Sequence, residues 1–137
     1  MSEALFQKWH RIVHAKDMSA LRHFMSEKIV FRSPVVREPY HGRDSAILLL
    51  SNVIEVFGPT FTYHRKWFRP HGMVLEFTAI VDGKELHGVD IIEFDDADDK
   101  IVKFEVMVRP FGSTMSLRKH MAERLAALKG NNVESKL

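Results

Sequence analysis

Residues 75–90 read Leu75-Glu76-Phe77-Thr78-Ala79-Ile80-Val81-Asp82-Gly83-Lys84-Glu85-Leu86-His87-Gly88-Val89-Asp90, and this stretch decides the fold. Apolar and polar residues alternate up to Asp82-Gly83, a pair suited to the two-residue turn of a β-hairpin, and the alternation resumes beyond it. A two-residue loop pairs Val81 with Lys84. That sets Ala79 opposite Leu86, Phe77 opposite Gly88 and Leu75 opposite Asp90. One face of the hairpin then carries Leu75, Phe77, Ala79, Val81, Leu86, Gly88, Asp90, Ile92 and Phe94. The other carries Glu76, Thr78, Ile80, Glu85, His87, Val89, Ile91 and Glu93. An aspartate therefore sits on the apolar face. Burying a lone carboxylate is costly, so such a group is expected to be neutral, or paired and hydrogen-bonded. Desolvation raises its pKa, and a neutral acid in an apolar pocket can donate to a developing oxyanion. The competing reading is an aspartate salt-bridged to an arginine or capping a backbone group.

Outward from the hairpin, period-two strands fit roughly 60–69, 73–81, 84–94 and 100–110. They are separated by Pro70-His71-Gly72, Asp82-Gly83 and the acidic run Asp95 to Asp99. If Pro70-His71-Gly72 makes a three-residue loop, Phe61, Tyr63, Arg65 and Trp67 face inward, whereas a two- or four-residue loop changes that facing; Val102, Phe104, Val106 and Val108 join the same face from the last strand. Before the strands, Ser2 can cap a helix bearing Leu5, Trp9, Ile12 and Val13, and Asp17 a shorter one bearing Leu21, Phe24 and Met25. Ile29 to Ser33 reads as a short strand and Val35 to Arg43 as a loop. Asp44 opens a third helix from Ser45 to about Phe57, stopped by Gly58-Pro59. A final helix at about 114–128 carries Leu117, Met121, Leu125 and Leu128 on one stripe, and Gly130 ends it. The expected architecture is α+β: one domain over 1–130, a curved antiparallel sheet wrapped over N-terminal helices, then a C-terminal helix. Residues 131–137 read as a disordered tail.

Composition narrows the function. With 20 basic and 18 acidic residues, scattered rather than striped, nothing argues for nucleic-acid or membrane binding. The absence of cysteine excludes disulfides, thiolate metal sites and cysteine nucleophiles. The N-terminus lacks a secretion-signal pattern, and no apolar run is long enough to span a bilayer, so a cytoplasmic location is expected.

Several stretches together resemble a known family: Asp17 between two helices, Phe31-Arg32-Ser33-Pro34 followed by His41-Gly42-Arg43, and Val89-Asp90-Ile91-Ile92-Glu93-Phe94-Asp95 running to Lys100-Ile101-Val102. In order and spacing they resemble the nuclear transport factor 2-like, or SnoaL-like, superfamily, which contains ketosteroid isomerase. The resemblance implies a cystatin-like α+β cone with a deep pocket, and frequent homodimers. It places Asp90 at the isomerases' oxyanion-hole aspartic acid. It also places Ser33 where those enzymes have their aspartate base, and Trp9 near their oxyanion-donating tyrosine. Two of the three catalytic groups are thus replaced, and serine alone is a poor proton shuttle at neutral pH. The resemblance accordingly does not imply a true ketosteroid isomerase. Epoxide hydrolysis in this superfamily uses an Asp–Arg–Asp set, and only one internal aspartate is evident here.

The expected function is a small-molecule pocket protein for an apolar or aromatic ligand bearing a carbonyl. It would be a cyclase, isomerase or dehydratase if catalytic, with Asp90 as acid or oxyanion donor. The alternative is a non-catalytic dimeric ligand-binding or protein-interaction module. His41 and His64 are candidate bases, each also readable as a surface histidine. Trp9, Ser33, Tyr63, Trp67, Leu75, Phe77, Leu86, Ile92, Phe104, Val106 and Val108 are the candidate pocket wall. His10 and His14, four apart on a helix, lack an evident third ligand, so no metal and no cofactor is expected. Ile80, Val89 and Ile91 on the outer face suit a homodimer, with Arg109 in packing or in an ion pair at its seam.

Overall fold

The computed structural model describes residues 2–128. It runs α1 (Ser2–Ala15), α2 (Met18–Phe24), β1 (Met25–Arg32), β2 (Tyr40–His41), α3 (Arg43–Phe57), a 3-10 turn (Gly58–Thr60), β3 (Thr62–Arg69), β4 (Gly72–Val81), β5 (Lys84–Phe94), β6 (Ile101–Arg109) and α4 (Phe111–Ala127). The six strands form one sheet in the order β2-β1-β6-β5-β4-β3. β3 to β6 make an antiparallel meander, and β1 lies parallel to β6. The helices cover the concave face of this curved, unclosed sheet, and the α+β class read from the sequence holds. The proposed tail at 131–137 and the helix stop at Gly130 lie outside the described residues.

The hairpin register follows its turn. Asp82 (φ 54°) and Gly83 (φ 72°) both take the left-handed conformation that a type I′ turn needs. Val81 pairs with Lys84, Ala79 with Leu86, Phe77 with Gly88 and Leu75 with Asp90. The inner face so defined is the core: Leu75, Phe77, Leu86 and Ile92 are fully buried, in one cluster with Leu21 and Phe24 of α2 and Ile29 of β1. Gly88 is required by this packing. A Cβ there would lie 2.5 Å from the Met107 carbonyl oxygen and 2.7 Å from the Phe77 ring.

Several boundaries differ from the sequence reading, among them the start of α4, at Phe111 rather than about 114. β1 begins at Met25, so Met25 is a strand residue rather than a helical one. The segment read as a loop contains β2, whose Tyr40 and His41 pair with Phe31 and Val30. Helix α3 starts two residues early, at Arg43 with Gly42 at the cap position, and the Asp44 carboxylate is paired instead with Arg22 at 2.7 Å. The Ser2 hydroxyl caps nothing and donates to the Arg69 carbonyl. Asp17 does cap α2, its Oδ1 accepting from the Ala20 amide at 3.1 Å.

Candidate functional site

Between the concave face and helices α1, α3 and α4 lies a cavity of about 290 Å³. The walls come from every layer: Trp9 and Val13 from α1, Leu50, Val53 and Phe57 from α3, Phe104 and Val106 from β6, Leu117 and Met121 from α4. These residues recur at helical or strand spacing, so each element turns one stripe toward the hollow. The helices are fixed over it by polar ties. Arg124 on α4 donates to Asn52 on α3 at 2.9 Å, and Ser113 donates to the Glu85 carbonyl at 2.7 Å.

Into this apolar wall β5 projects Asp90, only 5% exposed. Its Oδ2 accepts a hydrogen bond from the Tyr63 hydroxyl at 2.8 Å, and the Tyr63 oxygen accepts in turn from the Trp9 indole N–H at 2.8 Å. Burial pushes the Asp90 carboxyl up to about 7, and the Tyr63 hydrogen bond opposes that rise. The Tyr63 hydroxyl is held well above its usual 10, first by burial and then by the neighbouring Asp90 charge, so it stays protonated. The site is therefore an apolar cavity with one carboxyl, half of it protonated near neutral pH, bonded to a phenol. Such a carboxyl can donate a hydrogen bond to a ligand oxygen, a role a fully ionised surface aspartate lacks.

Of the proposed wall residues, Trp9, Ser33, Tyr63, Phe104 and Val106 touch the cavity. Leu75, Phe77, Leu86 and Ile92 are packed core away from it, and Val108 packs against that core half-buried. Trp67 is placed on the other side of the sheet, 49% exposed. The reason is twofold. The connection after β3 is a two-residue loop, with Arg69 paired to Gly72, and a β-bulge between Tyr63 and Lys66 inserts one extra residue. Tyr63 stays inside, but beyond the bulge Lys66 and Phe68 take the inner register while Arg65 and Trp67 turn outward. A similar register shift at Glu93/Phe94 puts Ile101 rather than Val102 in the core. Neither candidate histidine reaches the cavity. His41 is exposed on β2, and His64 is exposed on β3, where its ring meets the Thr78 hydroxyl at 2.7 Å. The Ser33 Oγ accepts from the Val35 amide at 3.2 Å, closing a local turn at the cavity wall.

The sequence reading missed His14 and Lys16 at the exposed end of α1, which rim the cavity, and the α3 wall. Lys16 is paired there with Glu55 at 2.9 Å. The α3 wall was visible as the i, i+3, i+7 spacing of Leu50, Val53 and Phe57; nothing local marked the rim.

A model of the SnoaL-like domain matches residues 6–104. The chain belongs to the SnoaL-like family. This SnoaL-like chain is similar in structure to a steroid delta-isomerase from Pseudomonas aeruginosa, at 39% identity over 94% of both chains with a TM-score of 0.87. It is also similar to an uncharacterized protein with a cystatin-like fold from Silicibacter pomeroyi, at 28% identity over 88% of this chain and 84% of that one, TM-score 0.82. An NTF2-like protein of unknown function from Cytophaga hutchinsonii, 13% identical over 83% of this chain and 95% of that one, shares the fold at a TM-score of 0.64. No protein in the curated comparison matches the SnoaL-like chain. Among its described residues no helix is long and apolar enough to cross a membrane.

Proposed function

We propose that this protein binds an apolar or aromatic small molecule through a carbonyl oxygen, with Asp90 as the hydrogen-bond donor. Where turnover follows, Asp90 is the acid of an isomerase-, cyclase- or dehydratase-type reaction. The observation that carries this reading is the Asp90 carboxyl itself, buried at the wall of an apolar cavity with its Oδ2 held by Tyr63. A carbonyl oxygen that gains charge as the substrate enolises would be stabilised by such a donor, and more strongly than in water because the surroundings are apolar. The likeness to the Pseudomonas steroid isomerase supports an isomerase-type pocket. Ser33 at the position of the isomerase base argues against the same reaction here, since a serine whose oxygen already caps a turn is a poor proton acceptor.

The test is a ligand-binding and turnover comparison. Native mass spectrometry of the purified protein should reveal a copurifying apolar ligand, and a ketone such as 2-acetylnaphthalene should bind. On carbonyl or polyketide-like substrates, Asp90→Asn should lower turnover at least about tenfold, the low end of what one acid contributes. An unchanged rate removes Asp90 from the chemistry.

A second reading, a non-catalytic dimeric binding module, is favoured by the outer sheet face. Ile80, Trp67 and Met107 are each close to half exposed there. They lie on the same face as the chain of contacts Arg65–Glu76–His87–Arg109, in which Glu76 is shared by Arg65 and His87 and Arg109 donates to His87. A face of that kind suits a second copy of this chain, with Arg109 at the seam. Light scattering at micromolar concentration should give twice the monomer mass, and a monomer at all concentrations excludes it.

A further inference from the structure

Three side chains from three elements stand in line: Trp9 on α1, Tyr63 on β3 and Asp90 on β5, joined by two hydrogen bonds of 2.8 Å. Their donor and acceptor inventories are unequal. An indole N–H can only donate. A phenol offers one proton and, in the plane of its ring, one well-placed lone pair on the other side of the oxygen. The site facing Trp9 must therefore be the lone pair, and the Tyr63 proton has to lie on the side facing Asp90. A reversed arrangement would aim two protons at each other across the Trp9–Tyr63 contact. With Tyr63 donating to Oδ2, a proton on Asp90 has its favourable place on Oδ1.

We propose that Trp9 and Tyr63 are positioning residues that fix the direction of this hydrogen-bond chain. They present the Asp90 proton on Oδ1 to the cavity and withhold the Tyr63 hydroxyl from the ligand. The site then offers a bound ligand a single donor and selects a hydrogen-bond acceptor, a ketone or an enolate oxygen. The inference rests on the carbonyl-binding reading for its consequence, but the direction of the chain is a property of the empty protein. Trp9 is held for the task independently of its N–H. It is 2% exposed and its ring packs on Phe104 at 5.2 Å, so Trp9→Phe can keep the packing while deleting the donor.

The direction has a signed consequence. If Tyr63 donates to Asp90, it stabilises the carboxylate, and Tyr63→Phe raises the Asp90 pKa by about one to two pH units, the worth of one hydrogen bond to a charged group. If instead Asp90 donates to Tyr63, the bond stabilises the neutral acid, and the same substitution lowers the pKa. Trp9→Phe frees the Tyr63 lone pair to accept from the protonated carboxyl, so it too raises the pKa, by less. The titratable groups sharing the cavity are Tyr63, His14 and Lys16. His14→Gln is therefore carried as the background in all proteins, so that no imidazole titrates in the same range. The measurement is a ¹³C NMR titration of carboxyl-labelled aspartate in ligand-free protein, with the Asp90 signal assigned by its loss in Asp90→Asn. Upward shifts in both variants support the proposal. A downward shift in Tyr63→Phe overturns it, and an unmoved titration in Trp9→Phe reduces Trp9 to packing and overturns its part. Should Trp9→Phe fail to fold, the sign in Tyr63→Phe still decides the direction. The same proteins are then offered 2-acetylnaphthalene and the matching secondary alcohol. A several-fold preference for the ketone that shrinks in Trp9→Phe is expected. Failure of every protein to bind the ketone sinks the ligand reading while the titration still reports the direction of the chain.

Discussion

Replacing Asp90 with asparagine should stabilise the protein at alkaline pH and not at acid pH, and the size of the effect can be worked from the site. The amide matches the carboxylic acid in volume and keeps an oxygen for the Tyr63 hydroxyl, so the substitution removes ionisation and little else. The carboxyl titrates at about 7 in the folded protein against 3.8 for a free side chain. Between those values the native state holds a proton that the unfolded chain has released, so stability falls as pH rises from about 4 and levels off above about 7. At 1.36 kcal/mol per pH unit the full span costs roughly 4 kcal/mol, of which about 2.5 kcal/mol falls between pH 5 and pH 8. Urea unfolding of the parent and Asp90→Asn at those two pH values isolates this term, since every other titrating group is common to both. The variant should gain about 2.5 kcal/mol relative to the parent on going from pH 5 to pH 8. A difference that stays constant, or one that grows toward acid, means the carboxyl is ionised and hydrated in the native state. The donor role assigned to it then fails.

Gly88→Ala should destabilise by about 1–3 kcal/mol in the same assay, because the new methyl meets the Met107 backbone, which cannot rotate away; an unchanged urea midpoint would show the sheet yielding there. Glu76, clasped by Arg65 at 2.7 and 2.8 Å and by His87 at 2.8 Å, is held well below the usual carboxylate range by those partners. Its stabilisation is present above about pH 4.5 and fades as pH falls, so Glu76→Gln should lower the urea midpoint at pH 7 and flatten the acid limb of the stability curve. Ser33→Asp places a second carboxylate at the cavity wall. With a β,γ-unsaturated ketone, appearance of the conjugated enone by ultraviolet absorbance should rise at least about tenfold over the parent. No rise would locate the missing function elsewhere than in the base.

The hairpin was legible because its determinants are local. Asp82-Gly83 dictates a turn type, the turn dictates the register, and the register puts Asp90 on the inner face, with no information needed from the rest of the chain. The strand before it was legible only in part. Tyr63 and Trp67 have the same parity, so alternation alone puts both inside; a bulge between Tyr63 and Lys66 separates them. Nothing in Tyr63-His64-Arg65-Lys66 announces that bulge. It is compatible with Arg65 reaching Glu76 on the outer face and Lys66 lying over the Phe6 ring at 5.3 Å, contacts with partners eleven and sixty residues away. The helix starts show the same division. Asp17 caps because its neighbour three residues on supplies the amide, whereas Asp44 is drawn off by Arg22 from another helix.

The site divides along the same line, and the division explains why the residue types were easier to read than their roles. That an acid faces a hollow follows from one strand. That this acid has its second oxygen available to a ligand follows from three elements meeting, and none of the three residues states it alone. A tyrosine in a cavity wall reads as a donor to whatever binds there. Only the indole N–H behind it, arriving from a helix fifty-four residues earlier, turns that hydroxyl toward the carboxyl. An indole at residue 9 thus does more than fill the cavity wall. It supplies a group that cannot accept, and so settles the direction of the bond beyond it. On this argument the identity of residue 9, which never has to touch the ligand, sets whether the cavity offers its guest one donor or two.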